Sequence, residues 1–110
     1  MSCGCAKMAV MEISVIPMGT SASVSGFVAG AVELIKKSGL RYQLTAMGTI
    51  VEGEVDQLLK LAGEIHKNVL DRGAPRVVTL IKLDDRRDKP LSAEGKIRSV
   101  QSKLEGSNAG

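Results

Sequence analysis

Residues 42–54 set two strand-forming runs on either side of Gly48, and this hairpin commits the middle of the chain to a sheet. Strands covered on both faces read as unbroken Val, Ile and Leu, whereas Gln43, Thr45, Thr49 and Glu52 recur here among the apolar positions. One surface of the hairpin is therefore expected to meet something polar. Gly48 is the expected turn or bulge residue.

The flanking segments supply the partners such a hairpin needs. Met11, Ile13 and Val15 alternate with Glu12 and Ser14, the period of a strand with one buried face, and Pro17 closes the run. Val24, Phe27, Val28, Ala31, Val32 and Ile35 then recur at helical spacing, with Ser21 or Ser23 as N-cap, Lys36 and Lys37 in the last turn and Gly39 as the stop. Gly26 and Gly30 weaken this helix and mark close backbone approach. Beyond the hairpin, Glu54 and Asp56 lead into a second helix whose stripe is Val55, Leu58, Leu59, Ala62, Ile65, Val69 and Leu70, ended by Gly73 and Pro75. Residues 76–83 form a strand so apolar that it should be central or covered on both sides. Pro90 and Ser92 open a third helix with a narrow stripe of Ala93, Ile97, Val100 and Leu104.

This order, strand, helix, strand, strand, helix, strand, predicts an α+β fold: the ferredoxin-like βαββαβ sandwich, a four-stranded antiparallel sheet with two helices on one face, plus a C-terminal helix. Residues 8–105 make the single domain, after a flexible leader at 1–7 and before a disordered tail at 106–110. The helix-free face would carry Ile16, Val78 and Leu80 beside Glu12, Ser14 and Thr45. That surface is too apolar for free solvent, so the chain is expected to form a homodimer or homotetramer through it.

Composition narrows the function classes. At 110 residues one domain suffices, and an aromatic content of 2% leaves little for stacking on bases, so no nucleic-acid partner is expected despite a net charge of +3. No run approaches the ~18 apolar residues of a membrane span, so no membrane partner is expected either. Cys3 and Cys5, with a single histidine, His66, fall short of a zinc site and form no disulfide framework; no metal and a reducing, cytoplasmic location follow as expectations. His66 falls in register with the buried stripe of the second helix and reads as a satisfied core histidine. Asp84, Asp85, Arg86 and Arg87 read as an ion-paired strand end. An acylphosphatase-like hydrolase would need an Arg in the loop after the first strand, which is absent, and no Ser-His-Asp arrangement is visible. The expectation is a non-catalytic protein without catalytic residues.

Three segments carry a more specific signal: residues 11–20, residues 47–54, and the late strand from Arg76 and Val77 to Asp84, Asp85, Arg86 and Arg87. Together they resemble the small thiamine-binding protein family, a conserved family long catalogued as of unknown function, over roughly residues 8–104. The resemblance implies a ferredoxin-like fold, dimers or tetramers built through the sheets, and binding of thiamine or its hydroxymethylpyrimidine half near a subunit interface, with no cofactor required. An aminopyrimidine presents ring-nitrogen acceptors and an amino donor in one plane, which a carboxyl group, hydroxyls and main-chain groups can read. Glu52 is the expected carboxyl, with hydroxyls from Thr45, Thr49 and Ser14, Tyr42 for stacking, Glu12 or Glu54 for the cationic thiazolium, and Thr20 and Ser21 from the loop before the first helix. The alternative is a regulatory sensor of another small metabolite such as an amino acid, whose carboxylate would sit on the helix amides near residues 20–23.

Overall fold

The computed structural model describes residues 8–21, 23–88 and 93–109. Along the chain run β1 (Ala9–Met18), α1 (Val24–Ser38), β2 (Arg41–Leu44), β3 (Thr49–Gly53), α2 (Val55–Asp71), β4 (Arg76–Asp85) and α3 (Ala93–Ala109). The four strands form one antiparallel sheet in the order β2-β3-β1-β4, the ferredoxin-like topology. The leader with Cys3 and Cys5, and also Pro90 and Ser92, lie outside the described residues. The third helix continues past residue 105 to Ala109, where the sequence reading expected a tail.

Alternation along β1 divides the sheet into two unlike faces. Ala9, Met11 and Ile13 join Val51 of β3, Ala31 and Ile35 of α1, and Leu58, Leu61, Ala62 and Ile65 of α2 in the main core. Phe27, Val69 and Ala74 form a second cluster, reached by Val15 and Val77. In α2 the buried stripe is Leu58, Leu61, Ala62, Ile65 and Val69, so Leu59 and Leu70, expected on that face, are exposed. The spacing of i, i+3, i+4, i+7 and i+11 leaves Leu59 a full 100° out of phase.

On the other face the register lays residues in rows across the strands. Arg41, Glu52, Val10 and Asp84 make one row; Gln43, Ile50, Glu12 and Lys82 make the next. Ser14 then pairs with Leu80 and Ile16 with Val78. The first turns of α3 tie down the charged row, with Glu94 bound to Arg41 at its β2 end and Lys96 paired with Asp84 at its β4 end. At the apolar end Ile16, Met18 and Leu80 are exposed, and Ile97, Val100 and Leu104 of α3 are exposed too. β4 is an edge strand, not the central or doubly covered one its composition suggested.

Helix ends follow the sequence closely. Gly39 ends α1 in the left-handed region at φ 76°, its N–H bonded to the Lys36 carbonyl. Ser23, not Ser21, is the N-cap of α1. α2 starts at Glu54, whose N–H donates to Gln57 Oε1 at 3.1 Å.

Two glycines have opposite reasons to exist, and stability measurements separate them. Gly63 lies mid-way along α2 with nothing near a would-be Cβ, so Gly63→Ala should stabilise the fold by ~1 kcal/mol in urea denaturation. A Cβ at Gly48 would sit 3.0 Å from Ser14 Oγ and 3.1 Å from the Ile13 carbonyl oxygen, so Gly48→Ala should destabilise by about 1–3 kcal/mol.

Candidate functional site

The strands are of unequal length, and the site follows from that. β1 and β4 each run ten residues and pair along their whole length, whereas β2 has four and β3 five. β1 pairs with β3 only from Ala9↔Gly53 to Ile13↔Thr49. The hairpin turns back at that point, and the β3 side of β1 beyond it has no strand beside it among the described residues.

The turn is built by Thr45. Its Oγ1 donates to the Gly48 carbonyl at 2.7 Å and accepts from the N–H groups of Met47 at 3.2 Å and Gly48 at 3.1 Å, while its own N–H donates to the Gly48 carbonyl at 2.9 Å. Ser14 Oγ fastens this turn to β1 by donating to the Met47 carbonyl at 2.7 Å. Gly48 does not take a positive φ, so the turn uses its missing Cβ, giving clearance against β1, and not its conformational freedom.

Between this turn, the outrunning edge of β1 and α1 lies a cavity of about 420 Å³. Ser14, Thr45 and Thr49 supply its hydroxyls, and Ile13, Val15, Ile16, Val28, Leu44 and Leu80 much of its apolar wall. Among the described residues no Arg or Lys lines it. Its size falls within the roughly 300–1,000 Å³ of small-ligand sites, and apolar walls with a few convergent polar groups are their usual lining.

Glu52 lies elsewhere. It is three residues from Thr49 along β3, about 10 Å, and on the opposite face of the sheet. Only 8% of it is exposed, and Arg41 Nε stands 3.4 Å from its Oε2. The hollow it borders, with Arg41, Gln43, Ile50 and Glu94, is about 180 Å³, smaller than a typical ligand site. Tyr42 also borders that hollow, but it pairs with Val51 and packs against the main core, on the helix side of the sheet from Glu52's carboxylate.

Of the remaining expected residues, Glu12 neighbours Ser14 two positions along the same face, half-buried, with Lys82 Nζ 4.0 Å from its Oε1. Thr20 and Ser21 follow Gly19, which has φ 74°, beyond the end of β1, and neither lines the cavity. Glu54 is the cap of α2. The structure thus brings Ser14, Thr45 and Thr49 together and holds Glu52, Tyr42, Thr20 and Ser21 apart from them. Leu44, Met47, Val28 and Leu80 were not among the expected site residues, Val28 and Leu80 having been read only as helix-stripe and open-face residues; of these four, Met47 is the most exposed. His66 Nδ1 is 2.7 Å from Thr79 Oγ1, so the half-buried ring has a hydrogen-bond partner on β4. Arg86 is bound to Asp88, which raises the pKa of its guanidinium.

A ferredoxin-like sandwich with a polar-rimmed cavity at a strand edge is the architecture of a small-molecule binding domain. The chain belongs to the thiamine-binding protein family, whose model matches residues 11–101. A UPF0045 protein of Methanothermobacter thermautotrophicus is 43% identical over 99 residues, covering 88% of this chain and all of the relative. The protein YqgV of Bacillus subtilis, of the same UPF0045 group, is 39% identical and covers 89% of this chain and 99% of its own. Among solved structures, a hypothetical protein of Methanocaldococcus jannaschii superposes with a TM-score of 0.80 at 41% identity, covering 86% of this chain and 97% of that one. A Thermotoga maritima structure described as a putative thiamine biosynthesis/salvage protein shares the fold with a TM-score of 0.73 at 22% identity, over 84% of this chain and 98% of that one. No helix among the described residues is long and apolar enough to cross a membrane.

The hydroxyl of Thr45 has a structural task that a test can expose. Thr45→Val should lower stability by about 1–2 kcal/mol in chemical denaturation through loss of the turn bonds, and Thr45→Ser should keep most of it.

Proposed function

We propose that this protein binds thiamine or its hydroxymethylpyrimidine half, without catalysing a reaction, in the cavity beside the free edge of β1. The observation that carries the reading is the cavity of about 420 Å³ walled by Ser14, Thr45 and Thr49 and by aliphatic side chains, in a chain of the thiamine-binding family. A neutral planar ring with hydrogen-bonding groups on its rim suits such walls. An amino-acid ligand suits them less, because its carboxylate calls for a cation and the lining has none among the described residues. The Thermotoga structure's description as a thiamine biosynthesis/salvage protein agrees with this choice of ligand.

In this reading Ser14 and Thr49 are the side chains that face the ligand, and Glu12, two positions from Ser14 on the same face of β1, attracts the thiazolium charge. Glu52 instead anchors the sheet beneath α3. Isothermal calorimetry with thiamine, hydroxymethylpyrimidine and an amino-acid panel tests it. The first two should bind, Thr49→Val should weaken them about tenfold, and Glu52→Gln should leave affinity within a factor of two. At 100 times its dissociation constant the ligand should add about 2.7 kcal/mol of stability. Binding of an amino acid alone, or unchanged affinity in Thr49→Val with a tenfold loss in Glu52→Gln, would sink the assignment.

The protein acts as a homo-oligomer in the same proposal. Ile16, Met18 and Leu80 on the helix-free face and Ile97, Val100 and Leu104 on α3 form apolar surface that a lone protomer leaves wet. A second copy offers the matching surface by symmetry. Sedimentation should find a dimer or tetramer, and Leu80→Asp should shift it to protomers while circular dichroism keeps its helical signal.

A further inference from the structure

The main chain of β1 carries chemistry that the side chains do not. In an antiparallel ladder each residue directs its N–H and C=O to the same neighbour, and successive residues address opposite neighbours. The Ile13 carbonyl addresses the hairpin side, since a Cβ on Gly48 would come within 3.1 Å of it. Val15 and Pro17 therefore address that side too, while Ser14 and Ile16 address β4.

β3 has ended before either is reached, because its pairing with β1 stops at Ile13↔Thr49. Pro17 has no N–H to leave unmatched, which is why a proline is tolerated in this strand. Val15 differs: it directs both a donor and an acceptor to where no strand runs among the described residues. The cavity is bordered by Ile13, Ser14, Val15 and Ile16 in succession. Consecutive strand residues face opposite sides of a sheet, so a space touching all four lies along the strand's edge and not over one face.

We infer that the peptide groups of Val15 are the recognition element of this cavity, reading a flat heteroaromatic ring as a further strand would be read. The Val15 N–H donates to a ring nitrogen, and the Val15 carbonyl accepts from the exocyclic amine beside that nitrogen. Both bonds lie in the ring plane. The ligand class selected is an aminopyrimidine-type edge, an acceptor and a donor side by side; a ring lacking the amine leaves the carbonyl unmatched. This rests on the aminopyrimidine reading proposed above, and it locates specificity in the backbone, where side-chain substitution cannot reach it.

The test uses the full-length, isotopically labelled protein and hydroxymethylpyrimidine itself. On titration the Val15 amide proton should move downfield and its exchange with solvent should slow about tenfold or more, and the analogue without the amine should bind roughly tenfold more weakly, the order expected for one lost hydrogen bond. Semisynthetic replacement of the Ser14–Val15 amide by an ester removes the Val15 donor, weakens as an acceptor only the Ser14 carbonyl that addresses β4, leaves the Val15 carbonyl intact, and should weaken hydroxymethylpyrimidine by a similar factor. If the ligand binds with the Val15 amide unmoved, its exchange unchanged and the ester protein unaffected, the inference is overturned while the proposed function stands. If calorimetry finds no binding of hydroxymethylpyrimidine or thiamine, both fall. Should the ester protein not fold, the exchange measurement on the natural chain decides.

Discussion

The mismatch in strand length between the long β1–β4 pair and the short β2–β3 hairpin governs the rest of this molecule. Residues 14–18 of β1 extend ~16 Å beyond the last pair with β3, a stretch that among the described residues has a strand on one side only. An edge of that length is normally a hazard, because its peptide groups invite a foreign strand. Here the hazard is contained. Pro17 removes one donor, α1 stands beside the gap, and the Thr45 turn, fastened by Ser14, closes its near end. What remains is a concavity sized for a small molecule and not for a chain.

A second consequence concerns the helix-free face. The charged row from Arg41 through Glu52 to Asp84 lies under the start of α3, and its ends are held by Glu94 and Lys96. Exposed pairs of this kind contribute little each, ~0–1 kcal/mol, so they orient α3 more than they stabilise it. Glu52 is the exception, because it is buried. Removing Arg41 would leave a carboxylate with little access to water, which makes the pair a structural commitment. The helix so oriented leaves its apolar stripe of Ile97, Val100 and Leu104 exposed.

Much of this was legible in the residues. Period-two alternation in β1, the helical stripes, and the stops at Gly39 and Gly73 fixed element order, and order fixed topology. The unlike character of the two faces followed from which residues alternate, and Ile16, Val78 and Leu80 do share the open face with Glu12 and Ser14. Three features were not legible, each for a physical reason. Tyr42 and Glu52 look like neighbours in a hairpin, yet register pairs Tyr42 with Val51 and so turns it to the helix side. Gly48 suggests a left-handed turn, but its role is a close approach to a strand more than thirty residues away in sequence. The cavity itself depends on where one strand stops relative to another, and Pro17, expected to close the first strand, instead lies inside it, because its missing N–H would face the side of β1 away from β4.

Under the proposed function, the charge of thiamine decides which acidic residue would serve it. A thiazolium needs a carboxylate that can turn toward it without abandoning a buried partner. Glu52 would have to leave Arg41 from a position that is nearly closed to water, and the displaced carboxylate would be penalised there, whereas the exposed Arg41 would keep Glu94. Glu12 stands two residues from Ser14 on the same face, and its contact with Lys82 is a loose, solvent-screened 4.0 Å. Exchanging that contact for a ligand cation costs little, because a surface pair contributes ~1 kcal/mol at most and Lys82 is immediately rehydrated. On this reading the hydroxymethylpyrimidine half is held by the strand edge and the hydroxyls, and the rest of thiamine adds only the modest attraction of a half-exposed carboxylate. The two ligands should then differ little in affinity, since the groups that discriminate lie around the shared ring.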